Sequence, residues 1–100
     1  METGVFITVT STGVQLATSA VSASAAIPND SAGNIARYIR IAATVAACVR
    51  IAKTTATAVT TDMQVQPGDS VIISTNGCDR VAAIQVAAAG IVQVSPIENM

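Results

Sequence analysis

Val, Ile and Thr account for 36 of the 100 residues, against one Leu, one Phe, one Tyr and no Trp. Two heavy atoms on Cβ stiffen the first side-chain torsion, a restriction that suits a pleated strand. The rest of the apolar set is chiefly Ala, with 19 copies, and charged residues make up only 11%. Disordered chains are charged and poor in Val and Ile, so this one folds.

Period-two alternation recurs along the chain. Val5–Thr10 (VFITVT) reads as a strand, and a Ser11–Gly13 turn leads into Val14–Thr18 to make a first hairpin. Ala20–Ala26 reads as a weak edge strand or extended coil, and Ile27–Asn34 (IPNDSAGN) as a surface loop. Ile35–Ala42 places Ile35, Arg37, Ile39 and Ile41 on one face and Ala36, Tyr38 and Arg40 on the other. Val45–Lys53 alternates in the same way. Ala favours a helix over Ala42–Ala52, but the interleaved Val and Ile keep period two, so a strand is expected.

Thr54–Asp62 reads as a polar loop or edge strand, and Pro67-Gly68 as a tight turn. Ser70–Ser74, with three consecutive apolar residues, reads as a short buried strand, and Asn76-Gly77 as a hairpin turn. Val81–Val86, a turn at Ala89-Gly90, and Ile91–Ser95 form a closing hairpin ended by Pro96. The sum is a single all-β domain spanning residues 1–100. It is expected to be a small antiparallel β-sandwich or barrel of seven to nine short strands.

Composition narrows function mostly by exclusion. There is no His, and Ser and Thr lack both a His base and a Ser-x-x-Lys arrangement, so no residue is assigned a catalytic role. Asp62, Asp69 and Asp79 lie at expected turns and are read as turn acceptors, since a calcium site needs about six converging oxygens. Cys48 and Cys78 have no zinc spacing and are read as small buried apolar residues rather than a disulfide. No metal and no cofactor is expected.

Five cations, two aromatic residues and a net charge of −1 do not suit nucleic acid. The apolar runs Ile41–Val49 and Val81–Val92 are shorter than the roughly 18 residues of a membrane-spanning helix. The first 36 residues hold no Lys or Arg, so a secretory leader is not expected and folding is placed in the cytoplasm. Ala buries little area, so a core built on it is thin. Together with the scarce surface charge, this predicts burial against other chains, as a homo-oligomer or docked on a larger particle. Arg37 and Arg40 are oddly spaced, as are Arg50 and Lys53, so neither pair forms a basic patch on one strand face. These cations are read either as salt-bridge partners of neighbouring subunits or as solvated edges.

The C-terminal half carries a recognisable order. Val49-Arg50-Ile51-Ala52 is followed by polar Thr54–Thr61, then Met63-Gln64-Val65-Gln66-Pro67-Gly68-Asp69 and Val71-Ile72-Ile73. Arg80-Val81-Ala82-Ala83-Ile84 and Gly90-Ile91-Val92-Gln93-Val94 complete it. Over about residues 35–97 the chain resembles small β-sandwich virion proteins of tailed bacteriophages, of the capsid decoration (cement) or head-to-tail accessory type. The resemblance implies a non-enzymatic virion protein that binds the major capsid protein or other virion proteins and stabilises the assembled shell. It brings no catalytic residues. The expected contacts are Phe6, Arg37, Tyr38, Arg40 and Arg50. The alternative is a neck, tail or fibre component that binds a host surface or glycan.

Overall fold

The computed structural model of the chain describes residues 12–69 and 71–97. The strand expected at Val5–Thr10, and Phe6 with it, lies outside the described residues. Eight strands follow: β1 (Val14–Ala17), β2 (Ala23–Ala26), β3 (Tyr38–Ala43), β4 (Ala47–Ala52), β5 (Met63–Val65), β6 (Val71–Ser74), β7 (Arg80–Gln85) and β8 (Ile91–Ile97). They form two antiparallel four-stranded sheets, ordered β1-β8-β3-β6 and β2-β7-β4-β5. The all-β sandwich expectation is borne out, and Ala42–Ala52 is strand rather than helix.

Of the seven consecutive strand pairs, only β4 and β5 are neighbours in one sheet; every other connection changes sheet. The chain therefore winds as two parallel tracks, with sequence neighbours in opposite layers. Eight strands in this order make a jelly roll.

The core follows from alternation. Leu16, Ile39, Ile41, Val92 and Val94 of the first sheet meet Ala47, Val49, Val65, Val81 and Ala83 of the second, all buried in one cluster. β-branched side chains on both inner faces fill this layer, and the chain's one Leu sits on the edge strand β1.

Five expectations are corrected. Asn76-Gly77 does form the tight turn its residues favour, with φ of 49° and 83° and the Cys78 N–H bonded to the Thr75 carbonyl at 2.9 Å. It is not a hairpin, however, because β6 pairs with β3 while β7 pairs with β4 and β2. Just past the turn, the Asp79 N–H donates to Ala52 O and the Asp79 carbonyl accepts from Ile27, which draws the chain onto the other sheet. The closing β7–β8 hairpin likewise does not exist. After β7 the chain crosses back, and the Gly90–Ile91 backbone is clamped between Thr18 and Thr44.

β6 is an edge strand rather than a buried one, with Ile72 exposed. Pro96 does not end β8, which runs on through Ile97. The Ile91 carbonyl accepts from Thr44 on the β3 side, so alternate residues place the Pro96 nitrogen on the β1 side. Pairing with β1 stops at Val94, so the missing N–H costs no ladder bond.

The face assignment around Arg37 also shifts. Ile39 and Ile41 point inward as expected, but Ile35 is exposed and Ala36 is buried, because regular alternation begins only at Tyr38.

Candidate docking face and adjoining pocket

The two outer faces of the sandwich are treated differently. Outside the second sheet, residues 54–62 fold back as a strap. Ala56 and Ala58 are buried against Ala82, with Ala52 and Ile84 alongside, while the intervening Thr55 and Thr57 are exposed. Polar contacts hold the strap: Thr54 N–H to Asp79 Oδ1 at 2.7 Å, Ala58 N–H to Ser22 Oγ at 2.8 Å, and Cys48 Sγ to Thr60 O at 3.5 Å. Arg50 closes its far end through a 2.7 Å ion pair with Asp62. A hydrogen bond from Val59 N–H, and then the Arg50 guanidinium, hold the Asp62 carboxyl below the ordinary aspartate range. The low-complexity stretch read as loop or edge strand is thus a loop, and it covers a sheet face.

Among the described residues, none of the first sheet's own strand connections folds back over its outer face in this way. Its registers place Gln15 beside Gln93, and Gln93 beside Ala42. They also place Ser95 and Ile72 on either side of Arg40, and Ser74 and the buried Ile97 on either side of Tyr38. In this set Arg40 is the one charged residue. A face of Gln, Ser, Ala, Ile and Tyr with one Arg has a single charge to desolvate, while its Gln, Ser and Tyr groups would need hydrogen-bond partners in any interface.

The expected contact residues separate accordingly. Tyr38 and Arg40 project together from β3 on this face. Arg37 precedes β3 and is exposed beside it. Arg50 lies on the opposite sheet, engaged with Asp62 of its own chain.

The remaining singled-out residues serve the fold. Asp62, Asp69 and Asp79 each accept a backbone N–H, from Val59, Gln66 and Thr54 respectively, as turn residues do. Gly68 follows Pro67 with φ of 89°, and Asp69 N–H bonds Gln66 O, which completes a type II turn. Both cysteines are free: Cys48 is buried under the strap and Cys78 is half-buried against the main core. Among the described residues no three His, Cys, Asp or Glu side chains converge as metal ligands.

Sequence reasoning missed a polar pocket of about 230 Å³ at one end of this face, lined by Arg37, Tyr38, Ser74, Thr75, Asn76 and Gly77. The signal for it was the Asn-Gly turn, but only the β3–β6 pairing sets that turn beside Arg37. The Thr75 N–H donates to Arg37 O at 2.9 Å, and its buried hydroxyl to Ala36 O at 2.8 Å. Comparison with protein-family models, curated proteins and solved structures finds no match for this chain.

Proposed function

We propose that this chain is a non-enzymatic structural protein that docks on an assembled phage particle as a capsid decoration protein, acting as a homo-oligomer. The observation that carries the reading is the contrast between outer faces. One is covered by the chain's own strap, whereas among the described residues no strand connection covers the other, which carries one charge, Arg40, among Tyr38, Ala42 and Ile72. Docking such a face on a site created only by assembly stabilises the assembled state by mass action, without chemistry. The jelly-roll order adds an analogy, since viral capsid domains share it, but a fold hosts many functions.

The test is the copy number of the chain in purified particles, measured against the major shell protein. Near parity supports shell decoration, a dozen or so copies moves the protein to the neck or tail, and absence overturns the virion reading. Ala42→Arg, which places a second cation on the docking face, should cut the copy number while the free protein stays folded. A second reading, glycan binding by a tail or fibre module, is favoured by the pocket beside Tyr38, since lectin domains also use jelly rolls.

A further inference from the structure

The pocket at Arg37 stands apart in how the chain spends its charges. Every described carboxylate is engaged by the chain itself. Asp30 accepts from the N–H groups of Ala32 and Asn34, Asp62 from Arg50 and Val59, Asp69 from Gln66, and Asp79 from Thr54. Among the cations, Arg50 is paired with Asp62, Arg80 reaches Ser24 Oγ at 3.4 Å, and Arg40 is engaged as well. Among the described residues, the side chains of Arg37 and Lys53 have no hydrogen-bond or ion-pair partner. Both border one turn. Arg37 lines the pocket with Asn76 and Gly77, and a Cβ built on Gly77 would lie 3.7 Å from Lys53 Cε.

We propose that this pocket takes the carboxylate of an acidic side chain presented by a docked partner protein. That the occupant is a protein rests on the docking reading above; the carboxylate chemistry rests on the pocket. A guanidinium offers a carboxylate two parallel charge-assisted hydrogen bonds, and Tyr38, Ser74 and Asn76 supply further donors around it. The rim is preformed. Its turn is closed by Cys78 N–H to Thr75 O and anchored to Ala36 by the buried Thr75 hydroxyl, so little order remains to be imposed on binding. At about 230 Å³ the pocket falls below the roughly 300–1,000 Å³ of cofactor-sized sites and suits a single side chain. Tyr38 is the one aromatic ring in the lining, so a sugar would find one stacking surface, while a carboxylate finds several donors.

The experiment is a titration of ¹⁵N-labelled protein with capped Gly-Glu-Gly, its Gly-Gln-Gly counterpart and glucuronate, followed by the backbone signals of Asn76 and Gly77. The Glu peptide should shift both signals saturably with a Kd on the order of millimolar. Arg37→Gln, at an exposed position, should leave the spectrum folded and weaken binding at least about tenfold. The Gln peptide should do nothing. The proposal is overturned by no saturable shift, by equal shifts from the Gln peptide, or by undiminished binding in R37Q. Tighter binding of glucuronate than of the Glu peptide overturns the protein occupant in favour of a sugar acid. Failure of this titration in a protein that still occupies particles removes the pocket and leaves the docking face. Success in a protein absent from particles does the reverse.

Discussion

Replacing Thr75 by Val preserves the shape of the side chain and removes one hydroxyl at the point where the pocket turn is fastened to the sandwich. Thr75 is 2% exposed, and its Oγ1 donates to the carbonyl of Ala36, itself 0% exposed. In the variant that carbonyl loses its side-chain donor out of reach of water. Leaving a buried acceptor unpaired costs about 1–3 kcal/mol. The methyl that takes the hydroxyl's place returns up to about 0.8 kcal/mol of apolar burial. The net loss is roughly 1–2 kcal/mol, which in a domain of this size lowers Tm by roughly 4–16 °C.

The assay is urea unfolding followed by tyrosine fluorescence. Tyr38 is the chain's one tyrosine and there is no tryptophan, so the signal comes from the wall of the pocket itself. The midpoint should fall with an unchanged slope. Thr57→Val makes the same chemical change at an exposed position on the strap and should stay within about 0.5 kcal/mol of the parent. If the two variants unfold at the same midpoint, the Thr75 hydroxyl is not anchoring the turn and the preformed rim argument fails.

Three further outcomes are expected. Gly13→Ala should destabilise markedly, since a Cβ there would run into the Val94 carbonyl oxygen and push β1 off β8; wild-type thermal stability would refute the close approach. Thr54 sits at φ 67° with Thr55 N–H bonded to Lys53 O, a strained γ-turn for a β-branched residue. Thr54→Gly should therefore stabilise by about 1 kcal/mol in chemical denaturation, the relief of strain exceeding the added chain entropy. Because the folded-state pKa of Asp62 is lowered, its contribution is fully present above the ordinary aspartate value near 4 and is lost as pH falls through the folded value. The parent should lose stability across that acid range more steeply than Asp62→Asn. Parallel pH profiles would show that the Arg50–Asp62 clamp does not hold the strap.

Much of this architecture could be read from residues a few positions apart. Alternation of Ile39 and Ile41 with Tyr38 and Arg40 is a property of one strand and needs no partner. The Pro67-Gly68 and Asn76-Gly77 turns are equally local, because each depends on which residues tolerate a positive φ. The Asp residues at turns satisfy their own nearby N–H groups, apart from Asp79, whose acceptor reaches across to Thr54. The candidate site was less legible. Arg37, Tyr38 and Arg40 stood out as cations and a ring in a chain poor in both, but nothing near them in sequence pointed to Ser74 or Asn76.

Strand character, turn types and the exclusion of His-based chemistry were therefore decided by the sequence alone, through short-range sterics and composition. Partner choice was decided only by the tertiary structure. A strand's alternation is the same whether its neighbour follows after a two-residue turn or after fifty residues. Here every strand finds its ladder partners, but apart from β4 and β5 none of those partners is next in sequence, so successive strands lie in opposite sheets. That is why Asn76-Gly77 joins two sheets instead of closing a hairpin. It is also why a face with one charge, a strap of Ala and Thr, and a polar pocket ended up where they are.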